Sequence, residues 1–317
     1  MRSDAPRSLR PAAAHVVADL SETPLQEVDA VDTTTAPRSM WAEAAHHLVR
    51  NPVFVISAVL IVLLLVVAAV PSLFTSYQPT AADLAHNNQP PGDGHLLGTT
   101  VQGYDVWSRI IYGTRTSLTV GFVAMILSTI IGVAIGAFAG YVGGWIDEVL
   151  SRITEIFFAL PLVLGAIVAF TALSNGVGTM TIALVLAIFG WTNIARITRG
   201  AVISVKNQDF VTASTALGAS RLGILAKHVL PNAIAPVIVT ATVNLGVFIV
   251  AQSTLAYLGL GTGTVSWGGD ISDAQPALRT NPMMLFYPSL ALAICVLSFI
   301  MLGDAVRDAL DPKARKR

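Results

Sequence analysis

The sequence predicts an all-α integral membrane protein with six transmembrane helices. Its composition is the first reason: 54% of the 317 residues are hydrophobic, 12% are charged and mean hydropathy is +0.67, far outside the range of soluble domains. The second is segregation. Charge-free windows cover residues 51–82, 116–146, 156–195, 228–269 and 280–303, and each exceeds the roughly 20 apolar residues a helix needs to cross a bilayer. The window 156–195 holds two spans, with Ser174-Asn175-Gly176-Val177-Gly178 as the turn between them. The third is pattern: the apolar runs are continuous rather than alternating, which excludes a closed β-barrel.

Taken in chain order, residues 1–38 are rich in Ala, Asp, Thr, Pro and Arg and lack a helical period. They are expected to form a disordered cytoplasmic tail. Residues 39–52 predict an interfacial helix with Trp41, Ala44, Ala45 and Leu48 on its lipid side. The first span covers 53–71. Because apolar sequence begins only near residue 52, no cleavable leader is expected, and this span is expected to act as an uncleaved anchor.

Residues 72–116 form an extracytoplasmic loop with a turn at Gln89-Pro90-Pro91-Gly92-Asp93-Gly94. A short amphipathic helix is expected there at the outer interface, using Val106, Trp107, Ile110 and Ile111. Residues 117–312 form a five-helix core, with spans near 117–140, 156–173, 180–194, 235–258 and 284–302. In the first of these, Gly132, Gly136 and Gly140 recur every four residues, the spacing that lets helix backbones approach closely in lipid. Glu148 and Arg152 are spaced to pair along a helix. A loop over 196–232 separates the fourth and fifth spans, a structured external loop covers about 259–281, and residues 313–317 form a short cytoplasmic tail.

Lys and Arg are unevenly distributed. With the N-terminus inside, sixteen fall on the cytoplasmic side and three, Arg109, Arg115 and Arg279, on the other. The positive-inside rule therefore predicts a multi-pass plasma-membrane protein with both termini cytoplasmic. The single cysteine, Cys295, lies within the sixth span, which rules out a disulfide framework.

The inventory of side chains excludes several chemistries. None of the four lysines follows a glycine, so there is no Gly-x-x-x-x-Gly-Lys nucleotide loop and no ATPase site of that kind. The six histidines show no ligand spacing, and no metal site is predicted. The spans lack the internal Asp, Glu, Lys or Arg of proton relays. Their polar residues are Thr, Ser, Asn193, Asn244 and Gln252, and Asn244, Gln252 and Thr254 are candidate pathway-lining residues on polarity alone.

What stands out is a polar helix-turn-helix between the fourth and fifth spans. Asp209 is a candidate N-cap for a helix over 210–217. Gly218 suits a left-handed stop, and Ser220 can cap a second helix over 221–230. Pro231 is expected to end that helix and turn the chain into the fifth span. Phe210, Val211, Leu217, Leu222 and Leu225 are available to pack the elbow, while Ala213, Ser214 and Ala216 allow close approach.

Thr212-Ala213-Ser214, then Gly218, then Leu230-Pro231, resembles the EAA loop of ABC-importer permeases. Ala216-Leu217-Gly218-Ala219-Ser220 with His228-Val229-Leu230-Pro231-Asn232 is similar to its dipeptide/oligopeptide branch. Other segments resemble the second, C-type permease of that branch in the same order. They include Arg50-Asn51-Pro52, Leu97-Gly98-Thr99, Ser108-Arg109, Gly140-Tyr141-x-Gly143-Gly144-Trp145, Arg196 with Arg199, Ser266-Trp267-Gly268 and Leu302-Gly303-Asp304.

The resemblance implies an importer-type permease fold with a cytoplasmic EAA-type coupling helix over Thr212–Gly218 that seats in a cleft of an ATPase, the coupling residues being Asp209, Phe210, Val211, Thr212, Ala213, Ser214, Ala216, Leu217, Gly218, Ala219, Ser220, Leu230 and Pro231. It also implies a heterodimer with a homologous second permease, two ATPase subunits or domains, an extracytoplasmic peptide-binding protein and surrounding membrane lipid, with no nucleic acid. ATP and Mg would be used by the partner ATPases, this chain binding no cofactor. Four positions depart from the pattern. Thr212 stands where the motif usually has Glu, Thr100 and Tyr104 where Asp and Arg are common, and Gln252 where relatives often carry an acidic residue.

Overall fold

The computed structural model describes residues 40–92, 94–173, 178–261 and 263–310. The expected tails at 1–38 and 313–317 and most of the turn at Ser174–Gly178 lie outside these residues, as do the side chains of Trp41 and Ala44. The chain divides into two compact units, Met1–Glu43 and Ala44–Arg317. Within the first, only the opening of α1 (Met40–Arg50) is described.

Among the described residues there is no strand, only isolated bridges pairing Gly92 with His95 and Thr99 with Asp105. Five helices are long and apolar enough to cross a membrane, and a sharply bent pair makes a sixth crossing if counted as one. They are α2 (Pro52–Ala69), α3 (Val106–Val142), the pair α4 (Gly144–Ala159) and α5 (Leu162–Ala172), α6 (Thr179–Lys206), a span over Arg221–Leu260, and α11 (Met283–Leu310). Two short helices, α7 (Asp209–Ala216) and α10 (Trp267–Ala274), lie between spans.

Several expectations need correction. The expected amphipathic helix at the outer interface is instead the opening of α3. Asp105 caps it, its Oδ2 accepting from the Ser108 amide at 2.7 Å, and nothing between Val106 and Val142 breaks the helix. Val106 and Ile111 are buried there. The expected third span over 156–173 is not one straight helix, since α4 and α5 meet at 85° across Leu160-Pro161. A proline at that point removes an amide donor and crowds the preceding turn. Glu148 does not pair with Arg152, which instead meets Glu155 at 2.8 Å on an exposed face.

The core is built around α3 and α6. Val120 and Ala124 of α3 pack with Ala166 and Phe170 of α5, Leu186 of α6 and Phe248 of the fifth span. A second cluster joins Ile61 of α2 to Leu118, Ile249, Trp267, Cys295 and Phe299. The glycine series lies directly on α6. A Cβ on Gly132 would stand 2.8 Å from the Trp191 carbonyl oxygen, one on Gly140 2.8 Å from that of Arg199, and one on Gly136 would collide with that of Ala195. Hydrogen therefore is the only substituent that fits at this depth of approach.

Three cations secure helix ends. Arg115 donates to the Ala68 and Ala69 carbonyls at the end of α2. Lys206 donates to Tyr141 at 2.8 Å at the end of α3, and Arg199 forms a forked pair with Asp147 at 2.5 and 2.7 Å, tying α6 to α4. Each places positive charge or donors on groups that carry negative charge or unsatisfied carbonyls.

At the opposite end of α3, Arg109 meets Asp270 of α10 at 2.5 Å and Asp273 at 3.6 Å. Its guanidinium lies 4.7 Å from the Tyr104 ring. Trp267 is fully buried and donates from Nε1 to the Ile110 carbonyl at 3.0 Å. Burial pushes the Asp270 carboxyl up to about 6, against the pull of Arg109.

Two outcomes follow from this packing. Gly136→Ala should cost on the order of 2 kcal/mol by forcing α3 off α6. Gly200→Ala, whose Cβ would meet nothing within 4 Å, should be neutral or mildly stabilising. Thermal unfolding of both variants in detergent checks this, and equal stability would sink the close-packing account. The second concerns pH. Asp270 titrates near 6 when folded and from 3.8 when free. Between those values the folded protein holds the extra proton, so stability rises as pH falls. Lowering pH from 7 to 5 should add about 1 kcal/mol through this group. Asp270→Asn should lack that increment in the same unfolding assay.

Candidate functional site

The candidate site is the elbow that joins α6 to the fifth span. Only Asn207 and Gln208 separate the end of α6 from α7. Gln208 occupies the N-cap position, with extended backbone and no side-chain cap, and Asp209 is the first helical residue. This corrects the expectation that Asp209 is the cap. Its carboxylate still lies in the first turn, where the free amides of a helix favour negative charge.

The turn after α7 follows from one glycine. Gly218 has φ +80°, a conformation that costs side-chain-bearing residues about 1 kcal/mol or more. The Gly218 amide donates to Thr215 at 3.0 Å and the Ala219 amide to Ser214 at 3.2 Å, the paired bonds of a Schellman stop. Ser220 then caps the next helix, its Oγ accepting from the Gly223 amide at 3.2 Å.

Pro231 behaves otherwise than expected. The chain does not turn there: α8 (Arg221–Ile224), a π turn over Leu225–Val229 and α9 (Leu230–Leu255) run on as one span. Pro231 sits in the first turn of α9, directly after the wide π turn. That wider spacing accommodates a ring which would clash with a regular preceding turn.

The packing of the elbow divides its residues into two sets. Val211, Ile224 and Val229 are buried with Ala137 of α3, Val202 and Val205 of α6, and Ala233. Leu225 and Leu230 pack partly against them. Phe210, Leu217 and Leu222, all expected to pack, are instead exposed, at 39%, 88% and 73% of their surface. Thr212, Ala213, Ala216, Gly218, Ala219 and Ser220 are exposed too, as is Pro231. Ser214 is half-buried and returns its hydroxyl to the Phe210 carbonyl at 2.8 Å. The result is a helix anchored on its inner face, with Phe210, Leu217 and Leu222 left exposed, as are the charged Asp209 and Arg221. Sequence reasoning missed the anchors Ala137, Val202 and Val205, which lie in other elements and carry no local signal.

The three candidate pathway residues all lie on α9. Asn244 is buried and accepts from Asn193 of α6 at 3.4 Å. Gln252 is fully buried, beside Ser253, whose hydroxyl reaches its Oε1 at 3.4 Å. Thr254 is half-buried and donates to the Val250 carbonyl of its own helix.

Comparison with known proteins agrees with this architecture. The family described as "Binding-protein-dependent transport system inner membrane component" matches residues 132–316. The "N-terminal TM domain of oligopeptide transport permease C" matches residues 39–91. The chain is 37% identical to the oligopeptide transport system permease protein OppC of Bacillus subtilis (strain 168), over 91% of this chain and 94% of that protein. It is 34% identical to the dipeptide transport system permease protein DppC of the same organism, over 94% and 92%. It is 33% identical to the glutathione transport system permease protein GsiD of Escherichia coli O6:K15:H31 (strain 536 / UPEC), over 94% and 97%. Among solved structures, an inward-facing conformation of the MetNI methionine ABC transporter superimposes with a TM-score of 0.55 at 21% identity, covering 64% of this chain and 96% of that one. That likeness establishes the fold. With its multiple apolar spans, the chain belongs to the binding-protein-dependent inner-membrane permease family, in its peptide ABC importer branch.

Proposed function

We propose that this chain is the C-type permease subunit of an ATP-driven importer that moves di- and oligopeptides across the cytoplasmic membrane by alternating access. On this reading it pairs with a homologous permease to enclose the pathway, and an extracytoplasmic binding protein delivers the peptide. Both termini face the cytoplasm, in keeping with the sixteen-to-three distribution of Lys and Arg. Two ATPase subunits or domains supply the work and use the ATP and Mg, since the chain has no phosphate-binding loop of its own. Peptide is the cargo class that the oligopeptide, dipeptide and glutathione relatives have in common.

The observation that carries the reading is the elbow. Thr212, Ala213 and the stretch from Thr215 to Ser220 are exposed, while Val211, Ile224 and Val229 bind the elbow's inner face to α3 and α6. A partner gripping α7 would therefore move the spans themselves. Rigid helices lie on both sides: α6 ends two residues before α7, and the fifth span starts within the elbow. Thr212 offers no charge at the position where the family motif has one, so apolar contact through Leu217 and Leu222 bears the grip.

Gly218 supplies the test. No atom lies within 4 Å of a Cβ built there, so a substitution acts through the backbone rather than by a clash. Gly218→Val should re-aim α7 and lower peptide uptake by tenfold or more, while the partner's ATP hydrolysis continues. Gly218→Asn, which tolerates the left-handed conformation, should keep most uptake. Both are read in proteoliposomes holding the whole complex, with membrane content checked. Full uptake by the valine variant would defeat the coupling role.

A further inference from the structure

A cavity of about 200 Å³ opens between α3, α4 and α6. Its wall includes Gly136, Ser151, Thr154, Glu155, Arg196 and Arg199. The two arginines are in different electrical states. Arg199 is held by Asp147 through the forked pair. Arg196 has no carboxylate within 4.0 Å among the described residues, and its guanidinium lies over the Phe158 ring at 3.7 Å. Glu155, the acid in the wall, is engaged by Arg152 at 2.8 Å. The wall itself carries two guanidiniums (Arg196, Arg199) and one carboxylate (Glu155), leaving one positive charge.

Depth in the membrane narrows the choice of ligand. α6 has 28 residues, a length of about 42 Å, against a hydrocarbon core of about 30 Å. Arg196 follows Thr179 by 17 residues, about 26 Å along the axis, which brings it to the boundary between acyl chains and headgroups. On the orientation proposed above, that boundary belongs to the cytoplasmic leaflet. Beside the cavity, Ile153, Ile156 and Phe158 of α4 expose apolar side chains. A free anion gains nothing from such a rim, whereas a lipid covers it with its acyl chains.

We propose that this cavity binds the phosphate group of an anionic phospholipid from the cytoplasmic leaflet. Arg196 donates to the phosphate oxygens, exchanging its ring contact with Phe158 for charge-assisted hydrogen bonds, and the Ser151 hydroxyl adds a neutral donor. Basic pockets between spans on this side of a membrane are well placed to hold such headgroups. Because α3, α4 and α6 all contribute to the wall, the lipid ties the bent α4–α5 pair to the α3–α6 core.

The test is native mass spectrometry of the full-length chain, purified with its accompanying subunits and equilibrated with phosphatidylglycerol or phosphatidylcholine. Wild-type protein should retain phosphatidylglycerol in preference to phosphatidylcholine. Arg196→Gln should retain about tenfold less, the loss expected for charge-assisted bonds. Arg279→Gln, at an exposed arginine that is no part of the cavity wall, should match wild type. Equal retention of the two lipids by wild type would overturn the proposal even if Arg196→Gln failed to fold. So would undiminished retention by a folded Arg196→Gln protein. Displacement of phosphatidylglycerol by millimolar inorganic phosphate would assign the cavity to a soluble anion and overturn the lipid reading. Because lipid is measured directly, failure here leaves the peptide-import reading untouched.

Discussion

The close approach of α3 and α6 is the constraint on which the rest of the structure depends. Lipid offers no hydrophobic drive to bring helices together, so contact must come from packing at short range. Gly132, Gly136 and Gly140 supply it by presenting bare backbone to the Trp191, Ala195 and Arg199 carbonyls. At one end of the seam the Arg199–Asp147 fork and the Lys206 cap fix the register. Beyond that end, Val202 and Val205 form the floor on which Val211, Ile224 and Val229 rest. The elbow thus inherits its position from the glycine seam.

This arrangement leaves little slack between the elbow and the membrane. From Arg221 to Leu255 the chain is helical throughout, interrupted in register only by the π turn at Leu225–Val229. Its length is about 50 Å, so displacement at the elbow would reach the far side of a bilayer without passing through a flexible joint. At that far side, Trp267 and the Arg109–Asp270 pair fasten α10 to the opening of α3. α3 itself extends about 55 Å from that fastening to the seam's inner end. The two regions with the most specific polar contacts therefore lie at opposite ends of shared rods. On the proposed reading, one end receives force and the other faces the cargo.

Much of the fold was legible because lipid imposes severe rules. Every backbone polar group in the hydrocarbon must be satisfied within its own helix, so charge-free runs translate directly into spans. The glycine spacing, the Gly218 stop and the Ser220 cap were legible for local reasons, since each needs only its neighbours in sequence. Where the reading failed, the deciding contacts were distant. The opening of α3 looked like a separate interfacial helix because a contact that fastens it, from Trp267 Nε1 to the Ile110 carbonyl, comes from more than 150 residues away. Leu217 and Leu222 were read as packing residues because leucine usually is buried, yet the inner face of the elbow was already filled by Val211 and Ile224. Pro161 did carry a signal for the 85° bend. The apolar run around it, however, masked a break that composition alone cannot register.

Pro231 and Pro161 together show how one residue type gives opposite outcomes. Both remove an amide donor and crowd the turn before them. Ahead of Pro231, the π turn opens the spacing and the helix runs on, with its inner side held by Val229 and Ala233. At Pro161 no such widening occurs, Leu160 takes up extended backbone, and the axis swings by 85°. Buried contacts make the difference. Val229 is fully enclosed, so straightening the chain there recovers packing free energy, whereas Leu160 is about half exposed and gains nothing from continuity. A proline in a membrane span thus marks a choice between continuation and bend, and the packing on either side of it decides which occurs.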